Sequence, residues 1–110
     1  MRDTMWWLIH ADSDDMKYPE DVITVLALQI LTLKNYSKKN NLENVGETVV
    51  CGDIQMLLNQ LDEIVERIKQ NNGNCVLAIS RSVFGNNAEQ VIDFFTPTYC
   101  GKIYQSIHIN

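Results

Sequence analysis

Positive charge is scarce in this chain. Nine lysines and arginines stand against fourteen aspartates and glutamates, giving 110 residues a net charge of −5 and a pI of about 4.8. Binding to a phosphate backbone draws on clustered Lys and Arg that release counterions. The composition therefore argues against a nucleic-acid partner and for a basic protein partner, toward which long-range attraction speeds encounter. Long apolar runs are missing too. Nothing approaches the roughly 18 residues of a membrane span, and the five apolar residues after Met1-Arg2-Asp3-Thr4 are too few for a secretory segment. A cytoplasmic protein with no membrane partner is expected.

Chemical signatures are equally thin. The chain has no Gly-x-x-x-x-Gly-Lys or Gly-x-Gly-x-x-Gly cradle and no Gly-x-Ser-x-Gly elbow. Cys51, Cys75 and Cys100 form no Cys-x-x-Cys pair, so the spacing of a zinc site is absent. They read as reduced thiols, with Cys51 and Cys75 in strands as small buried hydrophobes. No metal and no cofactor are expected.

What is present describes a fold. Hydrophobic residues make up 45% and charged residues 21%, which suits one globular domain over residues 1–110 with a core of its own. Met5-Trp6-Trp7-Leu8-Ile9 is apolar throughout, the mark of a strand covered on both faces. Pro19, with Glu20 and Asp21 behind it, opens a helix over Val22–Leu33 that leaves a narrow polar stripe at Thr24, Gln29 and Thr32. So apolar a helix is either deeply buried or packed against another chain, and a homodimer through it is one alternative.

Asn35 to Gly46 reads as a loop, and Glu47-Thr48-Val49-Val50-Cys51 as the second strand. Asp53 caps a helix whose Ile54, Leu57, Leu58, Leu61, Ile64, Val65 and Ile68 recur on one face. Asn71-Asn72-Gly73 stops it. Cys75 to Ile79 is a third strand. A short helix with Ala88, Val91, Ile92 and Phe95 on one face follows, ended by Pro97. The alternation of Ile103, Gln105, Ile107 and Ile109 gives a last strand at an edge, with an antiparallel direction open to it. The order β-α-β-α-β-α-β predicts a small, mainly parallel sheet of about four strands with three helices.

In such a sheet a crevice opens beyond the carboxyl ends of the strands. His10 to Asp15, Gly52-Asp53 and Ser80-Arg81-Ser82 are the segments expected to meet there. Asp12, Asp14 and Asp53 could hold Mg²⁺ through oxygen, and Ser80 with Arg81 could hold a phosphate. Solvated loop acids, with Asp53 as a plain helix cap, are the simpler reading. His10 fits a hydrogen-bonded structural histidine better than a base.

Asp12-Ser13-Asp14 after a first strand, with Ser80 ending a later one, resembles the haloacid-dehalogenase-like phosphatases. Trp7-Leu8-Ile9-His10-Ala11-Asp12, Val49-Val50-Cys51-Gly52-Asp53 and Val76-Leu77-Ala78-Ile79-Ser80 resemble segments of the DsrE-type sulfur-relay proteins. Ser80 stands where that family carries its sulfur-bearing cysteine. In type, a small, acidic, Asn-rich α/β chain without a catalytic signature is similar to the immunity proteins of contact-dependent growth inhibition. That resemblance implies a toxin-neutralising binder that is not an enzyme. Its carboxylates would occlude a basic, nuclease-like cleft. Asp12, Asp14, Asp15, Glu20 and Asp21 are the candidate partner-binding residues, with Asp62, Glu63 and Glu66 as a second set. A sulfur-relay or metal-dependent phosphatase role at the crevice is the alternative.

Overall fold

The computed structural model describes residues 3–12, 18–98 and 103–105. The chain runs through β1 (Asp3–Ala11), α1 (Pro19–Lys39), β2 (Leu42–Cys51), α2 (Ile54–Leu58) and α3 (Leu61–Gln70). It continues through β3 (Cys75–Ala78), a 3-10 helix (Arg81–Asn87), α4 (Ala88–Thr98) and β4 (Ile103–Gln105). The strands lie in the order β2-β1-β3-β4, and every pairing is parallel. This is the small parallel α/β sheet that the alternation predicts. The short β4 pairs in parallel with β3, so the antiparallel option is set aside.

β1 is central because its middle, Met5 to Ile9, carries only apolar side chains. Met5, Leu8 and Ile9 are wholly buried, and both tryptophans nearly so. Its alternate side chains feed two cores. Trp6 and Leu8 pack with α3 and α4 through Leu61, Ile64, Ile68, Val91 and Phe95. On the other face Met5, Trp7 and Ile9 pack with Leu33, and with Leu26 and Tyr36 beside it. The parallel register slips once, between Met5 and Trp6, where Trp6 comes to face Gly46.

Four boundaries differ from the sequence expectation. Asn35 to Gly46 is not a loop. α1 runs on to Lys39, with Lys38 and Lys39 complementing the negative pole of its dipole, and β2 begins at Leu42. Hydrogen bonding to β1 along its whole length outweighs the polar composition of Leu42–Gly46, which sits on an edge strand where exposure costs little. The helix begun by Asp53 breaks at Asn59-Gln60 into α2 and α3, although its apolar face continues across the break. Arg81–Asn87 coils into a 3-10 helix, and α4 extends to Thr98, past Pro97. Cys75 is buried as expected, whereas Cys51, at the end of the edge strand, is exposed.

α1 departs from its expected polar stripe at one position: Thr24 is exposed and Thr32 half-buried, but Gln29 turns inward. Gln29 and Ser37 are buried against the sheet, while Ile23 is 67%, Leu28 57% and Leu31 54% exposed. No helix among the described residues is long and apolar enough to cross a membrane.

Candidate functional site

The crevice beyond the strand ends forms around one imidazole. His10 is 5% exposed, its Nδ1 lies 2.8 Å from the carbonyl oxygen of Val83, and its Nε2 lies 2.9 Å from that of Gly52. One side chain thus ties the end of β1 to the turn after β2 and to the 3-10 helix after β3. Carbonyl oxygens only accept, so a ring with hydrogens on both nitrogens donates to both, and a ring with one donates to one. Either way both nitrogens face backbone oxygens, which bears out the structural reading of this histidine over a free base.

Of the three segments expected to meet, the described residues do: His10 bonds the Gly52 carbonyl and shares a cavity with Ala11, Asp12 and Ser82. That cavity has a volume of about 800 Å³. One wall is α1, through Val25, Leu28, Gln29, Leu31, Thr32 and Asn35. The other comes from Ile54, Ile79 and the stretch Ser82 to Asn87, with His10, Ala11 and Asp12 at the base. Gly85 allows the 3-10 helix to turn into α4 here. Its φ of 54° and ψ of −134° are open to glycine but costly for other residues.

At the rim, Ser80 Oγ lies 2.5 Å from Ser82 Oγ. Arg81, between them, forms an ion pair with Glu89 on α4. Among the described residues, Asp12 supplies the one carboxylate lining the cavity, and none of the lining residues is a lysine or arginine. Gln29 donates its amide nitrogen to the His10 carbonyl oxygen at 2.7 Å, which leaves Gln29 Oε1 buried with no donor. The sequence read Gln29 as part of an outer stripe. Its neighbours in helical phase, Leu33 and Tyr36, could have marked it as inward.

The candidate carboxylates do not form one surface. Asp12 sits in the cavity, and Glu20 and Asp21 are exposed on the first turn of α1. Asp62, Glu63 and Glu66 lie on α3, on the opposite face of the sheet. There Glu63 bonds Arg67 at 2.5 Å and Glu66 lies 4.0 Å from Lys69, so both are partly neutralised within their own helix. Asp14 and Asp15 lie outside the described residues. Asp53 caps α2, accepting from the Met56 amide at 3.3 Å, as its simpler reading had it. No three of His, Cys, Asp and Glu gather in metal-holding geometry among the described residues.

No protein-family model matches the chain, and no curated protein sequence does. Among solved structures it is similar to the C-terminal catalytic domain of ISC1926 TnpA, an IS607-like serine recombinase. The TM-score is 0.68 at 19% identity, over 96% of this chain and 68% of that one. This finding corrects the toxin-immunity and DsrE-type resemblances, and with them the expectations of a non-enzyme, a toxin partner and no nucleic-acid partner. Small size, net acidity and a missing motif describe many folds. Overall charge does not govern what one crevice binds. What the chain shares with that catalytic domain is its α/β fold, over nearly its whole length.

Proposed function

We propose that this chain is a recombinase-type domain that acts on DNA strands through a serine hydroxyl. The observation that carries the proposal is the fold, matched to a serine recombinase catalytic domain over 96% of the chain, with serines at the strand-end crevice. Ser82 lines the cavity and Ser80 bonds it. Ser13 follows Asp12 directly in the chain and lies outside the described residues. In the proposed step the serine oxygen attacks phosphorus and its proton passes to an acceptor, with Asp12 as the cavity's carboxylate. The bond from phosphorus to the departing sugar oxygen breaks, and that oxygen takes up a proton. A strand hydroxyl can attack that phosphorus in turn, giving up its proton; the bond from phosphorus to the serine oxygen breaks, the serine takes a proton back, and the DNA is rejoined. Pairing of two copies through the outward Ile23, Ala27 and Ile30 of α1, and action in the cytoplasm, belong to the same proposal.

The test is to incubate the chain with DNA, denature the mixture, and look for protein joined to strand. Peptide mapping of the adduct to Ser13, Ser80 or Ser82 supports the proposal. DNA that is bound but never joined to protein in any metal or salt condition sinks it.

Arg81 is the cation nearest these serines in sequence, and Glu89 occupies it. A phosphate must compete with that carboxylate. Glu89→Gln is therefore expected to tighten DNA binding roughly two- to fivefold at low salt, the scale of an exposed ion pair. The gain should fade as salt rises. Fluorescence anisotropy across a salt series checks it, and equal affinities at every salt would detach Arg81 from the site.

A further inference from the structure

We infer that two copies of this chain pair with their α1 helices antiparallel, about a two-fold axis at the level of Gln29, and that each copy covers the α1 flank of the other's cavity. The inference rests on the α1 pairing proposed above. It fixes the register, the charges and the bearing of that pairing on the site.

The surface belongs to one helix. Of the seven large hydrophobic side chains exposed among the described residues, Ile23, Leu28, Ile30 and Leu31 lie on α1, and three of these four are more than half exposed. α1 packs on the sheet through Gln29, Leu33 and Ser37, so the opposite side of the helix faces outward. Along the middle of that outer side run Glu20, Thr24, Ala27, Leu31, Lys34 and Lys38. All six are exposed, and their alternating spacing of four and three residues keeps them on one stripe.

That stripe is symmetric in position about Gln29 and opposite in charge at its two ends. Turned end for end, Glu20 falls opposite Lys38 of the other copy, Thr24 opposite Lys34, and Ala27 opposite Leu31. The two-fold repeats each contact. A small residue set against a large one at the centre lets the helices approach closely. Thr24 donates its hydroxyl to the Glu20 carbonyl oxygen of its own helix at 3.0 Å, so its methyl is left for the seam. The Lys34 stem can lie over that methyl with its ammonium in water. Among the described residues, Glu20, Lys34 and Lys38 have no ion partner within their own chain. A parallel pair would set Glu20 against Glu20 and Lys38 against Lys38, and repulsion at both ends opposes it.

The seam reaches the site because Leu28 and Leu31 also line the cavity. In this register Leu28 lies opposite Ile30 of the other copy, and Leu31 opposite its Ala27. The second copy therefore covers the exposed leucines of each cavity's α1 wall.

Sedimentation equilibrium of the full chain, without DNA, tests the pairing, and a reversible monomer–dimer equilibrium is expected. Lys38→Glu sets an acid against Glu20 at both ends of the seam and should weaken the dimer at least roughly tenfold at low salt. Adding Glu20→Lys to that variant should restore it. In a parallel pair Lys38→Glu would replace one like-charged contact by another and change little. Leu31→Asp, at an exposed position, should leave only monomer with an unchanged circular dichroism spectrum. A natural chain that stays monomeric at every concentration, or a Lys38→Glu dimer as tight as the natural one, overturns the inference. The adduct assay separates this from the DNA reading. A monomer that still joins DNA sinks the pairing and leaves that reading standing, whereas a charge-dependent dimer that never joins DNA does the reverse.

Discussion

His10→Ala is expected to lower the unfolding free energy by about 1–3 kcal/mol, because it strips a donor from the backbone carbonyls that the ring nitrogens face. Leaving a buried acceptor unpaired costs about 1–3 kcal/mol. Whichever of Gly52 O and Val83 O the ring donates to would be left so, beside a void where the ring had been. Water entering from the adjoining cavity offsets part of that. The change should appear in urea as a lower midpoint at unchanged slope, since the surface exposed on unfolding is nearly the same. The same substitution loosens the 3-10 helix that carries Ser82, so any serine–DNA adduct should form more slowly while DNA is still retained. An unchanged midpoint would show that His10 holds nothing together. A lower midpoint with full adduct formation would confine its role to folding.

The sequence made β1 legible because burial on both faces leaves no choice of residue type: every position from Met5 to Ile9 is apolar, and every one is buried. The α3 face was legible for a similar reason. Its apolar residues recur at helical spacing, and all of Leu61, Ile64, Val65 and Ile68 are in the core. The site was legible only in outline. Strand-end geometry named the three segments that meet, but not the cavity, since one wall is α1 and the expected polar stripe had turned Gln29 outward. Val22–Leu33 is so uniformly apolar that its pattern does not choose an inward face. The 3-10 helix depends on Gly85 and on the packing of Phe84, which is 1% exposed, and neither has a periodic signature. Acidic residues misled because net charge reports solubility and long-range attraction rather than fold. On α3 they are helix-surface residues, two of them paired to nearby Arg67 and Lys69.

Gly46→Val is expected to cost more than about 3 kcal/mol, although valine favours strands and Gly46 lies on an edge strand. The reason is across the sheet. A β-carbon built on Gly46 would overlap the Trp6 indole, which lies against the glycine where the β1–β2 register slips. That indole cannot move freely. Its Nε1 donates to Thr48 Oγ1 at 2.8 Å in a buried bond, and its ring is part of the core formed with α3 and α4. Valine must therefore push the ring off its bond, shift β2, or do both, and β2 carries the Gly52 turn that bonds His10. A double-mutant cycle separates this from any intrinsic cost at the position. In a Trp6→Leu background, where the indole is gone, Gly46→Ala should cost at least 1 kcal/mol less than in the natural chain, within the range for residues in direct contact. Urea denaturation of the four proteins gives the coupling. A coupling near zero would mean that Gly46 is small for a reason other than Trp6, and the register slip would then lose its explanation.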